Sequence, residues 1–206
     1  MVTLAALPKI QIVRKIVLAL AVLSFTLMFA LTSSAQEAGS PELKAIRWIG
    51  ILAIVICILG RTWCTLYIDG RKIEQLVTVG PYSVCRNPLY SFTILGVAGM
   101  GAQHGSLLLA AVFCMFTWLV FLVVVMLEES FLADMHGAMF ASYVRSTPRF
   151  LPNPRLWRDV FTVTVRPSKL LRTFGDGLCF LIPIPLDAVF ERLQGSGTLP
   201  VLLRLF

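Results

Sequence analysis

The stretch GPYSVCRNPLYSF, residues 80–92, sets Tyr82, Arg86, Asn87 and Tyr90 among Gly80, Pro81 and Pro88. A second stretch offers Glu128 and Glu129, followed by SFLADMHGAMFASYVRSTPRFLP. Together they supply basic, amide, aromatic and carboxylate groups, a set able to hold a polar or charged small molecule. The glutamates are informative by position. The last turn of a helix carries partial negative charge, so two carboxylates at a true C-terminus are disfavoured by roughly 0.3–1 kcal/mol each. Either the helix continues, as Phe131, Leu132, Met135 and Met139 at helical spacing indicate, or a cationic partner stands close by. Taken singly, each feature has a plainer account: turn prolines, a headgroup-anchoring arginine, interfacial tyrosines and a solvated helix extension.

The elements that must position these groups are membrane helices. Of 206 residues, 57% are hydrophobic and 14% charged, with a mean hydropathy of +0.82, far from soluble composition. Residues 16–32 and 46–66 are apolar enough to cross a bilayer, the second with Arg61 near enough to its end to snorkel, and 106–127 has no charge at all. Residues 88–102 are short and glycine-rich, which predicts a helix packed closely on a neighbour and joined to the next by a tight turn at Gln103 to Gly105. The fragment 177–186, with two prolines, is too short to span simply and reads as interfacial or partly inserted. The first run, with Lys9, Arg14 and Lys15 before it and Ser33-Ser34-Ala35 after it, also has the pattern of a secretory signal; a first membrane helix is the reading adopted.

Ten Lys/Arg fall in 67–87 and 128–173, against Lys44 alone in 33–45 and none in the 103–105 turn, which puts the N-terminus and everything after Leu127 on the cytoplasmic side. The net charge of +7 is then explained by anionic lipid and calls for no nucleic acid. The five cysteines, 57, 64, 85, 114 and 179, form no CxxC pair and have only His104 and His136 for company, so no metal site is expected. The expectation is an all-α polytopic membrane protein of about four to five transmembrane helices with a cytoplasmic pocket. Its parts are N-terminal helices (1–66), a core containing a helical hairpin (67–152) and a basic cytoplasmic or interfacial segment (153–206).

The run Gly80-Pro81-Tyr82, Arg86-Asn87-Pro88-Leu89-Tyr90, Glu128-Glu129, Gly137, Tyr143 and Pro148-Arg149-Phe150-Leu151-Pro152 resembles the isoprenylcysteine carboxyl methyltransferase family, integral membrane enzymes with many bacterial members. The resemblance covers residues 67–152 and rests on the order and spacing of motifs that are each only moderately specific. It implies S-adenosylmethionine held at the cytoplasmic ends of the helices and a lipophilic acceptor, a small molecule or lipid, entering from the bilayer, in the inner membrane of a bacterium. Carried over by position, the cofactor contacts are Glu74, Gln75, Leu76 and Val77, then Tyr82, then Asn87, Pro88, Leu89 and Tyr90, then Glu128. A carboxylate can pair with the cofactor's cationic groups or accept from its ribose hydroxyls, and aromatic rings suit adenine and cation alike.

Two departures bear on chemistry. Asn87 stands where the family has histidine and cannot take a proton near neutral pH, which spares binding more than general-base catalysis. Val124 stands where the carboxyl methyltransferase has a substrate-binding arginine, so the acceptor is expected to be uncharged or to carry its charge elsewhere. No residue is a convincing base; His136 is nearest, and a structural role is the commoner one for such a histidine. The expected mechanism is in-line displacement driven by positioning and desolvation. A sterol-reductase-like NADPH oxidoreductase, drawing on Arg71, Lys72 and Arg86 for phosphate, and a non-catalytic membrane scaffold stay open as alternatives. The oligomeric state is not legible.

Overall fold

A computed structural model describes residues 25–36, 39–68 and 76–205. Most of the first apolar run, and with it Lys9, Arg14 and Lys15, lies outside them, as do Arg71, Lys72, Glu74 and Gln75. The described residues are helical apart from connections and one small strand pair. Residues 25–31 are helical and lead into β1 (Thr32–Ser34). Helix α1 (Pro41–Ile68) starts where Ser40 Oγ accepts from Leu43 N–H and Pro41 occupies the first turn, where its missing N–H is no loss. A single turn, α2 (Pro81–Val84), precedes α3 (Pro88–Gln103), and Ser106 caps α4 (Leu107–Ser146) by accepting from Leu109 N–H. Proline again opens α5 (Pro167–Leu178) and α6 (Pro183–Gly195), and the chain ends in β2 (Leu203–Leu205).

Among the described residues three helical stretches are long and apolar enough to cross a membrane: α1 with 28 residues, α4 with 40, and the 29 residues Pro167–Gly195. The third differs from the sequence reading of 177–186 as a short interfacial piece. A 3-10 turn at Cys179–Leu181 absorbs the missing N–H groups of Pro183 and Pro185, so α5 and α6 run on as one helical stretch. Helix α3, at 16 residues, reaches only about 24 Å. It lies packed between α1 and α4, as its glycines foretell. A Cβ on Gly50 would meet Gln103 N at 2.4 Å and Gly99 O at 2.6 Å, so α1 and α3 touch backbone to backbone. Leu107, Met115, Trp118, Leu119, Val123, Met126 and Leu127 of α4 stay exposed, as expected of a face turned to lipid tails.

Arg61 does not run out to the helix end. It donates to Thr93 Oγ1 on α3 and lies over the Phe180 ring at 5.6 Å, linking three segments within the bundle.

The last part of the chain also departs from expectation. With α1 and α3 antiparallel, Arg47 and His104 mark one end of the bundle while Thr65 and Tyr90 mark the other. Asp187 of α6 sits at the first of these ends. It is 2% exposed, with its Oδ1 2.5 Å from His104 Nδ1 and its Oδ2 4.0 Å from Arg47 Nη2. Arg47 also reaches Glu191, and His104 Nε2 lies 3.1 Å from Thr32 Oγ1. Beyond α6, β2 pairs in parallel with β1, Thr32 opposite Leu203 and Ser34 opposite Leu205. Residues beyond α5 thus travel to the opposite end of the bundle from Thr65 and Tyr90, whereas the sequence reading kept everything after Leu127 on one face. A buried carboxylate needs a cationic partner, and the partners for Asp187 are at that end.

Candidate functional site

A cavity of about 650 Å³ opens where the C-terminal end of α1, the α2–α3 turn, the lower part of α4 and helix α5 converge. Its shape depends on how 80–91 is held. Gly80, at φ 59°, lies in a region that favours glycine, and a Cβ there would strike the Tyr67 ring at 2.3 Å. Backbone bonds then clasp the turn to the segment after α4: Gly80 N–H to Arg158 O at 2.7 Å, Arg86 N–H to Pro148 O at 2.8 Å and Asn153 N–H to Val84 O at 2.9 Å. Side chains repeat the pattern. Tyr143 Oη donates to Tyr82 O at 2.6 Å, Ser91 Oγ to Phe150 O at 2.7 Å, and the Cys85 thiol to Phe150 O at 3.1 Å. Burial raises that thiol above its ordinary value, so Cys85 stays protonated and a donor.

The two adjacent glutamates have different surroundings. Glu129 forms an ion triad: Arg149 donates to its Oε2 from Nη2 at 2.8 Å and from Nε at 3.1 Å, and Arg86 Nη1 lies 3.0 Å from its Oε1. Arg86 and Glu129 are 10% and 12% exposed, so the pair joins α4 to the α2–α3 turn in a largely dry setting. Glu128, the preceding residue, lines the cavity and accepts from Tyr90 Oη at 2.9 Å, while the Tyr90 ring rests on Phe121. The cationic partner anticipated for the acidic pair is thus present, at Glu129. The helix also continues past both, breaking only at Gly137, where φ 49° and ψ −120° belong to glycine alone.

Leu76, Val77, Tyr82, Asn87, Leu89, Tyr90 and Glu128, of the residues marked from sequence, line this one cavity. Pro88 opens α3 and is buried behind them; Glu74 and Gln75 fall outside the described residues. Asn87 donates weakly to Glu129 Oε1 at 3.4 Å and Arg149 O at 3.3 Å, which makes its amide a tether within the wall. The Tyr82 hydroxyl is different. Tyr82 is 5% exposed and its Oη is buried without a hydrogen-bond partner among the described residues, a costly state unless something else meets it. Burial also raises its pKa well above 10.0, with the neighbouring Cys64, Tyr143, Tyr90 and Glu128 adding to the effect, so the group is a neutral phenol able to donate.

Sequence reasoning missed Leu132 and Tyr143 on α4, and Lys169, Arg172, Thr173 and Asp176 on α5. The first two were visible as helical continuation and as a motif residue; the α5 group carried no signal, because nothing local says that residues 167–178 fold back over the cavity. Arg86 pairs with Glu129 and also lines the cavity. His136 does not line the cavity. Among the described residues no group of three His, Cys, Asp or Glu side chains is arranged to hold a metal ion.

Residues 47–139 match the phospholipid methyltransferase (PEMT) family model. The cobalt-zinc-cadmium resistance protein CzcN of Cupriavidus metallidurans is 36% identical over 178 residues, covering 86% of this chain and 82% of that protein. The nickel-cobalt-cadmium resistance protein NccN of Alcaligenes xylosoxydans xylosoxydans is 36% identical over 160 residues, 78% of this chain and 75% of its own. No solved structure matches. The motifs of residues 67–152, the match over 47–139 and the kinship with both resistance proteins agree: the chain belongs to the phospholipid methyltransferase family, the isoprenylcysteine carboxyl methyltransferase-like group of membrane proteins.

Proposed function

We propose that this protein is an S-adenosylmethionine-dependent methyltransferase that modifies a lipophilic acceptor. The observation that carries the reading is the Tyr82 hydroxyl, buried without a partner among the described residues in the wall of a cavity that also presents Glu128. A polar ligand there would restore the missing hydrogen bond. Family membership supports a methyltransferase in the same sense. When bound, S-adenosylmethionine supplies an electrophilic methyl group on a sulfonium. The chain's own residues hold and orient. Glu128, kept in place by Tyr90, offers a carboxylate to a cation or to hydroxyls, Tyr82 offers its O–H, and Leu76, Val77 and Leu89 give an apolar surface that excludes water. By position Glu74 and Gln75 join this set, and Pro88 shapes it. Tyr143, whose hydroxyl is bonded to Tyr82 O, is not placed to act as a base, so catalysis rests on proximity and desolvation.

The cavity would face the cytoplasm of a bacterial inner membrane, on the positive-charge argument. The relatives' names refer to resistance to metals, and we place this chain in a similar setting as a modifier of a membrane component. Calorimetric titration of the detergent-purified protein with S-adenosylmethionine and, separately, with NADPH tests the reading. Saturable binding of the first supports it. Binding of NADPH alone would move the assignment to a reductase, and binding of neither would leave a scaffold.

A further inference from the structure

The face that α1 turns to lipid ends beneath the segment that follows α4. Trp48, Leu52, Val55 and Leu59 are exposed at helical spacing, and Trp63 is the next residue of that stripe. Trp48 and Trp63 stand about 22 Å apart along the helix, and tryptophan favours the two membrane–water boundaries, so the pair marks both. Trp157 stacks on Trp63, with ring centroids 5.6 Å apart and planes at 18°. Tyr67, one turn further along α1, donates to Asp159 Oδ1 at 3.0 Å. Residues 151–161 therefore lie at the lipid-facing rim of the bundle, at the depth of the headgroups.

What the segment exposes fits that depth. Leu151 is 83% exposed and Phe161 is wholly exposed, with Val160 beside it, while Val163 turns inward onto the cluster of Tyr67 and Tyr82. Arg155 and Arg158 are exposed among them, and Asp159, the one carboxylate in residues 148–166, is occupied by Tyr67. Apolar side chains interleaved with cations match an anionic lipid interface, where acyl chains receive the first and phosphates the second. The same segment is bonded to the cavity wall. Arg158 O accepts from Gly80 N–H, Arg158 N–H donates to Ser83 Oγ at 3.0 Å, and Asn153 N–H donates to Val84 O. Tyr82 lies between those anchors.

We propose that residues 151–161 dock on the anionic lipid surface of the leaflet at the cavity end, with Leu151 and Phe161 among acyl chains and Arg155 and Arg158 on headgroup phosphates, and that this contact steadies the turn carrying Tyr82. A single helical turn has little stability of its own, so its order follows that of the segment it is fastened to. The cavity wall thereby responds to the charge of the surrounding lipid. Each basic residue near such a surface adds about fivefold in affinity. The inserted side chains add an attachment that a soluble phosphate cannot offer.

The test places the full chain in nanodiscs of phosphatidylcholine, or of an equal mixture of phosphatidylcholine and phosphatidylglycerol. Benzoylphenylalanine in place of Phe161 should crosslink to lipid on illumination, read as one lipid mass added to the intact chain. A crosslink to a second copy, or none, overturns the docking. In neutral detergent, Arg155→Gln combined with Arg158→Gln should weaken phosphatidylglycerol binding about tenfold or more and leave phosphatidylcholine binding unchanged, and the double Lys variant should keep most of the affinity. The ties to the cavity use the Arg158 backbone, which the Gln variant preserves. Equal phosphatidylglycerol affinity in the wild type and the double Gln variant overturns the proposal, as does competition by glycerol phosphate, which would make the site one for a free anion. Hydrogen exchange reads the coupling. The Gly80 and Ser83 amides should exchange about threefold or more slowly in the anionic discs, and the double Gln variant should lose the difference. Equal exchange in both lipids overturns the link to the cavity. None of these readouts uses S-adenosylmethionine, so their failure leaves the methyltransferase reading standing.

Discussion

Glu128 and Glu129 are neighbours in sequence with separable duties, and substitution should split them. Glu128→Ala removes a carboxylate from the cavity without touching the ion triad, so S-adenosylmethionine binding should weaken by about 1.5–3 kcal/mol at unchanged melting temperature, read by calorimetry. Glu129→Gln leaves Arg86 largely buried beside a neutral amide, and the fold should lose on the order of 3 kcal/mol, seen as a lowered thermal transition in detergent. Tyr82→Phe tests the orphaned hydroxyl. It should cost binding but little stability, because the hydroxyl has no partner among the described residues. It should also change the alkaline limb of stability. Burial raises the Tyr82 pKa above that of the unfolded chain, so the stability tied to the protonated phenol is fully present below about pH 10 and is lost as pH rises through the folded value. The Phe variant should therefore show a shallower fall in melting temperature above pH 10.

Among elements, those that sequence reading found are the ones whose signal is local. The charge-free run 106–127, the glycine spacing of 88–102 and the helical continuation after Leu127 each predict their own helix from composition and period alone, and α1, α3 and α4 follow. Part of the candidate cavity was legible too: Tyr82, Asn87, Tyr90 and Glu128, which line it, belong to motifs that resemble a known family. Contacts made by long-range return were not legible. Lys169 and Arg172 look like ordinary juxtamembrane charges until α5 is seen against α1, and Asp187 looks like a solvated carboxylate until His104 and Arg47 are found beside it. Two element-scale outcomes follow. Asp187→Ala leaves His104 and Arg47 without their shared partner and releases α6, so the melting temperature should fall by an amount equivalent to about 2–4 kcal/mol. Gly137→Ala meets no steric obstacle but forces φ 49° on a residue with a Cβ. A loss of about 1–2 kcal/mol, or a straightened helix seen by distance measurements between spin labels on either side, should result.

On the scale of the whole molecule, the bundle carries two polar ends, one with the cavity and the other with the His104–Asp187–Arg47–Glu191 cluster. If Pro167–Gly195 crosses the bilayer, cysteines introduced at Arg155 and Ser196 should be labelled by an impermeant reagent from opposite sides, with position 155 on the cytoplasmic side. Labelling of both from one side would return the C-terminal third to a single face. The parallel pairing of residues 32–34 with 203–205 adds a constraint of timing. Its two strands lie far apart in sequence, so residues 32–34 are made well before their partners 203–205. Leu202 N–H bonded to Leu31 O, and Ala35 N–H to Leu205 O, flank the pair and wait with it. Residues 31–35 therefore wait for residues 202–205 to be made, and a chain cut before residue 202 cannot form the pair at all.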